Sequence, residues 1–427
     1  MASFEALADY PLVRVFRNRD YLRYTIGNSI SLIGLWVQQL AVGWLTWQLT
    51  HSGFWLGAVA FANLSPALII GPFAGVLADR FDRTKILQVT QTISLVQALA
   101  LWAIYVSGNI NVYIVFALTL GLGVNAAITQ PARLALVPQL VRAADLNTAL
   151  ALNSVVFNCA RFIGPLVAGV IISVSNLGMT FLFNALSYLA MIVALLRVTP
   201  TRPVRSPIKR SVLHDLGQGI KYAAAHASIG PLLLIISALA LLVRPVADLL
   251  PGFADQVFHR GEQGLVAFTS LMGIGSIIGG VWLAQRGDVR GLPDVALVCL
   301  ALTAATLLVF SVTANFYLAL SMLLIASGGI SACGTATQTL VQHVVDEDKR
   351  GRVLAIWGLI FRGVPSLGVL AMGGLSDWLG MGVPVFAGAV LAIGFALYAL
   401  RWRRLLDAAT EEHLVRSLAA AGSDAAR

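Results

Sequence analysis

The sequence predicts an all-α integral membrane protein built from twelve transmembrane helices. Its 427 residues are 58% hydrophobic and only 11% Asp, Glu, Lys or Arg, whereas soluble domains carry about 25% charged residues. Twelve apolar stretches have roughly the 20 residues that cross a bilayer core as a helix. Their predicted bounds are 22–48, 54–78, 86–106, 112–138, 147–173, 178–198, 229–250, 265–285, 293–312, 316–342, 353–375 and 382–401.

The distribution of basic residues predicts how these spans are oriented. With a cytoplasmic N-terminus, 24 of the 29 Lys and Arg residues fall in cytoplasmic loops or ends, and only Arg260 falls in an outer loop. Such a bias sets the orientation of membrane proteins. We therefore expect both termini and the long 199–228 loop to be cytoplasmic. The net charge of +9 then reflects topology and contact with the lipid bilayer, and not nucleic-acid binding.

Several other classes of protein are disfavoured. The first residues have no short apolar core followed by a cleavage site, so we expect no signal peptide. Cys159, Cys299 and Cys333 are far apart and lie in predicted spans, which favours buried thiols over a disulfide framework; a three-thiol site for a soft ion is the alternative. Phosphate-loop, HExxH and GxSxG patterns are absent. We expect a monomer that is not an enzyme and that binds no cofactor or metal.

The two sets of six spans show signs of an internal duplication. Residues 135–171 align with residues 339–375 at a constant offset of 204, which pairs Gly164 with Gly368 and Gly169 with Gly373. Two repeated bundles with a binding site between them are typical of transporters. A shorter stretch, 60–71, resembles 267–279 with one insertion. The predicted domains are an N-terminal bundle (1–198), a cytoplasmic linker (199–228), a C-terminal bundle (229–402) and a tail (403–427).

A dense charged loop separates the second and third predicted spans. Its sequence, GVLADRFDRTK at 75–85, places five charges within seven residues between two apolar segments. The loop resembles the Gly-x-Leu-Ala-Asp-Arg-x-Gly-Arg-Lys signature of the major facilitator superfamily, with Asp82 in place of the usual glycine. The matching residues are Gly75, Leu77, Asp79, Arg80, Arg83 and Lys85. The resemblance implies the major facilitator fold, in which two pseudo-symmetric six-helix bundles alternate access across the bacterial inner membrane.

A second stretch indicates a branch of that superfamily. QPARLALVPQLV, followed by LNTALALNSVVFNCARFIGPLVAGVI, resembles the branch that contains the enterobactin exporter and related bacterial efflux proteins. Within it, Gly164, Pro165 and Gly169 are similar to an antiporter motif of the fifth span, with Ala168 where a glycine is common. The resemblance implies efflux of small molecules with a proton as the coupling ion.

The charged loop is predicted to act as a gate. Asp79 lies at the C-terminal end of its helix, where the helix dipole disfavours an anion, so it requires a compensating partner. The resemblance implies a contact with the eleventh span that holds the cytoplasmic side shut, and Arg350 or Arg352 is placed to supply the cation. Simple anchoring of the loop in the cytosol is the alternative, and it fits Arg83 and Lys85 equally well.

Four arginines lie inside predicted spans, where an ionisable group costs roughly 3 kcal/mol and is therefore a candidate functional residue. Arg161 shares a helix face with Asn158, and Arg362 lies in the corresponding eleventh span. Guanidinium groups make bidentate contacts with anions, so we expect a positively biased cavity for anionic or hydrogen-bond-accepting substrates. Structural ion pairing is the alternative. The predicted cavity residues are Gln38, Arg133, Asn158, Arg161 and Arg362.

One carboxylate is placed to couple transport to protons. Asp248 lies in the seventh predicted span, one turn from Arg244, and residues four apart on a helix can pair. Arginine does not release its proton near neutral pH, so Asp248 is the predicted proton carrier and Arg244 its partner. A permanent Arg244–Asp248 ion pair that stabilises the helix is the alternative.

The sequence therefore predicts a secondary active exporter of a small siderophore-like or drug-like molecule, driven by protons. A lysolipid or lipid flippase of the same fold is the alternative, because a sequence does not show whether a cavity opens sideways to lipid. A membrane-embedded enzyme is the least favoured interpretation.

Overall fold

The computed structural model describes residues 11–199 and 212–411, and most of these residues are helical. Among them, twelve segments are long and apolar enough to cross a membrane, which confirms the predicted fold class and number of spans. The helices are α1 (Pro11–Arg17), α2 (Arg19–Thr50), α3 (Gly53–Leu64), α4 (Pro66–Arg80), α5 (Arg83–Val106), α6 (Val112–Leu140), α7 (Leu146–Val174), α8 (Leu177–Leu196), α9 (Val212–Ala225), α10 (Ile229–Ala238), α11 (Val246–Gly252), α12 (Gly261–Arg286), α13 (Leu292–Val312), α14 (Phe316–Val344), α15 (Arg350–Leu379) and α16 (Gly382–Ala399).

The second predicted span is divided into two helices. α3 ends at Leu64 and α4 begins at Pro66, with Ser65 between them. Proline has no backbone N–H to donate within a helix but is favoured in the first turn of a new one. The break is therefore a local consequence of Pro66, and it separates the first half of the span from the half that ends in the charged loop.

The seventh span contains two π-helical turns, Leu239–Val243 and Phe253–Val257, on either side of α11. Across them the N–H groups of Arg244 and Phe258 bond to carbonyls five residues earlier, each at 3.0 Å. Such turns are frequent at functional sites. The span reaches Val257, so the predicted end at 250 is too early, and Asp255 lies inside the span and not beyond it.

Asparagine and aspartate side chains cap the N-terminal ends of several helices. Asp82 accepts hydrogen bonds from the N–H groups of Thr84 and Lys85 at 2.8 and 3.2 Å, which satisfies donors that the start of α5 leaves unpaired. The residue that departs from the superfamily loop pattern is thus an N-cap. Four asparagines cap other helices in the same way: Asn18, Asn111, Asn176 and Asn315.

The described residues form two compact units. Unit 1 comprises 11–51, 65–199 and 260–270, and unit 2 comprises 52–64, 212–259 and 271–411. α3 comes from the first sequence repeat but belongs to unit 2, and the start of α12 comes from the second repeat but belongs to unit 1. These two segments begin at 52 and 260, close to the offset at which 60–71 aligns with 267–279. The two segments that belong to the unit of the opposite repeat therefore lie at equivalent positions of the duplicated sequence.

Aligned glycines occupy equivalent contacts in the two units. In unit 1, a Cβ added to Gly164 of α7 would collide with Trp36 of α2. In unit 2, a Cβ added to Gly368 of α15 would collide with the Leu241 carbonyl in the seventh span. Small residues allow helix backbones to approach closely. Because the first and seventh spans are counterparts in a duplicated chain, the paired contacts support the internal repeat.

The core of unit 1 contains a buried network of amide side chains. Gln38 Nε2 donates to Gln97 Oε1 at 3.0 Å, and Asn184 Nδ2 donates to Gln38 Oε1 at 2.8 Å. The network joins α2, α5 and α8. Satisfied polar groups in a core fix which helices pack together and in which register.

The contact between α2 and α8 generates a prediction for Gly34. A Cβ at this position would collide with the Ser187 hydroxyl and lie 2.5 Å from Asn184 Oδ1, so Gly34→Ala should destabilise the protein by about 1–3 kcal/mol through overpacking. Gly121→Ala is the matched control, because nothing lies within 4 Å of a Cβ there. The measurement is the melting temperature in detergent by size-exclusion chromatography after heating. Equal melting temperatures for the two variants would contradict this packing.

Candidate functional site

In unit 1, Arg161 lies on α7 with its guanidinium over an aromatic ring. Its Cζ is 5.5 Å from the centroid of the Trp36 ring on α2, within the range of a cation–π interaction. Phe157, one turn before Arg161, packs edge-on against the same ring with centroids 5.8 Å apart. Asn158, which we predicted beside Arg161, donates to the Ser154 carbonyl of its own helix at 2.9 Å. Arg161 is half-buried, and its guanidinium is oriented by Trp36.

Two other predicted cavity residues of unit 1 occupy different environments. Gln38 is 1% exposed, and both ends of its amide are engaged in the buried network. Its predicted place in the substrate cavity is therefore wrong, because packing between α2, α5 and α8 uses the whole side chain. Arg133 on α6 is half-buried, and its Nε has no hydrogen-bond acceptor among the described residues.

In unit 2, Arg244 contacts the backbone and the ring of Phe361. Its Nη1 donates to the Phe361 carbonyl, and its Cζ lies 4.3 Å from the centroid of the Phe361 ring. That carbonyl would ordinarily accept from the N–H four residues later, but position 365 is proline and has no N–H. The Arg244 guanidinium thus supplies the donor that Pro365 withholds from α15.

Phe361 is also part of an aromatic stack beside the arginine we predicted in the eleventh span. Its ring lies parallel to that of Trp357, with centroids 4.9 Å apart and an interplanar angle of 14°. Trp357 Nε1 in turn donates to Thr337 Oγ1 on α14 at 3.3 Å. Arg244, Phe361 and Trp357 therefore form a layered cation–aromatic cluster that holds the middle of α15 to its neighbours.

Arg362 is exposed although it lies in the middle of α15. It is twelve residues from the start of the helix at Arg350, or roughly 18 Å along the axis. A guanidinium facing hydrocarbon at that depth is costly, whereas one facing a water-filled cavity is not. The exposure of Arg362 and its position midway along the span together favour an aqueous environment for its side chain.

The two carboxylates of the seventh span lie in its irregular part. Asp248 is in the first turn of α11, and Asp255 is inside the second π-helical turn. Both are half-buried. The predicted Arg244–Asp248 pairing and its role in proton coupling stay predictions.

The charged loop is described except for the side chains of Val76, Ala78 and Asp79. Gly75 has nothing within 4 Å of an added Cβ, and Arg80 is exposed. Arg83 Nη1 donates to the Ala135 carbonyl at 3.2 Å, which anchors the loop to α6 within unit 1. The predicted gating contact of Asp79 falls on a side chain outside the described set, so that role stays a prediction.

Arg352, the proposed cation of the gate, is held by the linker helix α9 within unit 2. Its Nη1 donates to Gln218 Oε1 at 3.0 Å. One turn further along α9, the Tyr222 hydroxyl donates to Asp346 Oδ2 at 2.8 Å. Burial, followed by the hydrogen bond to the Asp346 carboxylate, raises the pKa of Tyr222. The linker helix is thus fastened to the segment that precedes α15.

The antiporter-like motif lies where α7 packs on its neighbours. Gly164 and Pro165 are buried, and a Cβ added to Gly169 would lie 3.0 Å from both methyl groups of Val266 within unit 1. Pro165 also withholds an N–H from the carbonyl of Arg161. These residues set how closely helices approach, and their assignment to antiport stays a prediction.

Within residues 11–199 and 212–411, no three His, Cys, Asp or Glu side chains are grouped so as to hold a metal ion. Cys159 is half-buried, and Cys299 and Cys333 are buried free thiols.

Sequence patterns did not reveal the aromatic partners of the arginines. Trp36 and Phe361 each lie against a guanidinium from another helix, and such contacts between helices leave no local signature. The one available signal was the pairing of Trp357 and Phe361 four residues apart, immediately before Arg362, because residues at this spacing share a helix face.

The chain matches, over residues 15–420, the family described as transmembrane secretion effector. Among curated relatives, the staphyloferrin A transporter of Staphylococcus aureus is 27% identical over 366 residues, which cover 84% of this chain and 90% of the relative. The enterobactin exporter of Citrobacter koseri is 23% identical over 387 residues, 89% and 90% of the two chains. The macrolide efflux protein A of Streptococcus pyogenes is 22% identical over 368 residues, which cover 84% of this chain and 90% of the relative.

Solved transporter structures share the fold. A bacterial homologue of the iron transporter ferroportin in an inward-facing state aligns with a TM-score of 0.68 at 17% identity, covering 90% of this chain and 98% of that chain. A bacterial homologue of the human lysosomal transporter Spinster aligns with a TM-score of 0.70 at 14% identity, covering 93% and 98%. At these identities the likeness establishes the fold alone.

The contact between Arg244 and the Phe361 carbonyl generates a double-mutant prediction. Arg244→Leu should destabilise the protein by about 1.5–3 kcal/mol, because a hydrogen bond to a charged group is lost and the carbonyl is left unpaired. Pro365→Ala restores the backbone N–H, so the cost of Arg244→Leu should be smaller in that background. Thermal stability of the four proteins in detergent measures the coupling.

The control for this cycle is Pro165→Ala, which restores an N–H to the Arg161 carbonyl in unit 1 and should leave the cost of Arg244→Leu unchanged. An equal cost of Arg244→Leu with Pro365 and with alanine would show that the guanidinium does not replace the missing donor.

Proposed function

We propose that this chain, which belongs to the transmembrane secretion effector family of the major facilitator superfamily, exports a small anionic molecule from the bacterial cytoplasm by alternating access. The chain is a multi-pass membrane transporter and not an enzyme. The direction of transport, the substrate class, the proton coupling, the inner-membrane location and the cytoplasmic placement of both termini are parts of the proposal. The 24-to-1 split of loop Lys and Arg residues supports that orientation.

The observation that carries the proposal is the exposure of Arg362 in the middle of a membrane span. Arg161 lies three residues from the counterpart of Arg362 in the fifth span and adds a second guanidinium on an aromatic support. Planar guanidinium groups bind carboxylates and phosphates through two parallel hydrogen bonds. The relatives whose names state staphyloferrin A, enterobactin or a macrolide support export of a siderophore-like or drug-like molecule. An anionic siderophore-like molecule is therefore the substrate class we propose.

We expect a strain that overproduces the chain to secrete an anionic siderophore faster, or to resist an anionic drug better, than a strain that lacks it. Arg362→Lys keeps the charge but loses the bidentate geometry, so transport at low substrate concentration should fall about 10- to 100-fold, the equivalent of a lost charged hydrogen bond. Arg161→Lys should act in the same direction. Arg142→Lys, on an exposed position, is the control.

The assay is uptake of labelled compound into everted membrane vesicles, with membrane-inserted protein measured for each variant. Transport of lysolipid with no transport of siderophores or drugs would favour a flippase. Unaltered transport by Arg362→Lys at equal protein level would remove Arg362 from the substrate path.

The second part of the proposal is that Asp248 carries the coupling proton. It is supported by its half-buried position in α11, between two π-helical turns that make this span irregular. Asp248→Asn removes the exchangeable proton, so accumulation driven by a proton gradient should stop while downhill substrate exchange continues. Asp255→Asn, in the same span, is the matched control and should retain gradient-driven accumulation.

Both activities are measured in proteoliposomes with an imposed pH gradient. Gradient-driven accumulation that survives in Asp248→Asn would assign this carboxylate to structure. Loss of gradient-driven accumulation in Asp255→Asn but not in Asp248→Asn would identify Asp255 as the proton carrier.

A further inference from the structure

A carboxylate near the end of α15 caps the start of α3 within unit 2. Asp377 Oδ2 accepts a hydrogen bond from the Ser52 hydroxyl at 2.6 Å, and Oδ1 accepts one from the Gly53 N–H at 2.6 Å. The Phe54 N–H donates to Oδ2 at 3.3 Å. The two backbone donors belong to the first turn of α3, where N–H groups have no partner within the helix.

The same two helices pack at very short range next to this cap. A Cβ added to Gly53 would collide with the Ser376 hydroxyl, and one added to Gly373 would collide with the Gly53 carbonyl. One turn along α3, a Cβ on Gly57 would lie 2.6 Å from the Val369 carbonyl. The contact is thus made largely by backbone against backbone.

The position of Asp377 is unfavourable within its own helix. It lies two residues before the end of α15 at Leu379, where the negative end of the helix dipole repels an anion. The start of α3 is the positive end of another dipole and supplies the hydrogen-bond donors. The carboxylate is therefore destabilised by α15 and stabilised by α3, so its free energy depends on whether the two helices are in contact.

We propose that Asp377 is a conformational latch, which holds α3 on α15 in one state of the transport cycle and releases it in the other. The inference rests on the proposed function, because alternating access requires the two sequence repeats to separate at each membrane face in turn. α3 belongs to the first repeat and α15 to the second. The second and eleventh spans run antiparallel, since consecutive spans alternate in direction, and the latch therefore lies at the outer face under the proposed topology.

Asp79 occupies the equivalent place at the other end of this pair of spans. It is the penultimate residue of α4, the second half of the span that α3 begins, and α15 starts with Arg350. The proposed topology assigns both of these helix ends to the cytoplasmic face. Each span of the pair thus carries an aspartate near its C-terminal end, at the face where the other span begins. The Asp377 latch and the predicted Asp79 gate have the same chemistry at opposite faces, which suits two closures that alternate.

Hydrogen–deuterium exchange of the full chain in lipid nanodiscs tests the latch without a known substrate. Asp377→Asn removes the charge but keeps the side-chain size, and the loss of a capping carboxylate corresponds to about a 2- to 30-fold faster local opening. Exchange should rise by that factor throughout 52–64 and in the facing segment 366–376 of α15. Asp288→Asn is the control, because Asp288 is an exposed carboxylate that accepts from the Arg290 N–H elsewhere in unit 2.

The pattern of exchange decides the outcome. Faster exchange confined to the first amides of α3 would show a local cap that does not hold the helices together, and the latch would be overturned. Exchange identical to wild type would overturn it as well. A substrate panel in which the wild-type chain transports nothing would defeat the proposed export function, while the exchange data would still show whether Asp377 holds α3 on α15.

Discussion

A backbone N–H or carbonyl without a partner in its own helix needs one from elsewhere, and this constraint determines where two charged side chains of this protein lie. Pro365 leaves the Phe361 carbonyl without a donor, and Arg244 supplies one. The start of α3 exposes two N–H groups, and Asp377 accepts from both. In each case a charged side chain from another helix completes the backbone, so secondary structure and helix packing are stabilised by the same contact.

This constraint also separates arginines that look alike in the sequence. Arg244 is oriented by a carbonyl and by the Phe361 ring, so the contacts that hold it belong to helix packing. Arg161 rests on Trp36, whose ring lies 5.5 Å from the guanidinium carbon. Arg362 is exposed at mid-span. Not every intramembrane arginine is therefore a candidate for substrate binding. Arg244 instead donates to a carbonyl that a proline in a neighbouring helix leaves without a donor.

Hydropathy was sufficient to predict all twelve spans, because the need to keep apolar side chains out of water acts on each segment separately. The duplication was visible because glycines such as Gly164 and Gly368 meet a neighbouring helix at equivalent places in each unit. The π-helical turns, which bring Asp255 into the seventh span, depend on which carbonyl accepts each N–H. Amino-acid composition does not predict that hydrogen-bonding pattern. The burial of Gln38 likewise depends on Gln97 and Asn184, which are remote in sequence.

The duplicated contacts lie at aligned positions of the two repeats but differ in charge. Gly169 of α7 meets Val266 in unit 1, and its aligned partner Gly373 meets α3 in unit 2. At the offset of 204, however, the counterpart of Asp377 is Ser173, whose hydroxyl donates to the Val170 carbonyl of its own helix at 2.9 Å. The Ser173 hydroxyl is uncharged and donates its one hydrogen within its own helix. Duplication thus provided two close helix contacts, and divergence placed a carboxylate cap at the one in unit 2 and a serine at the equivalent place in unit 1.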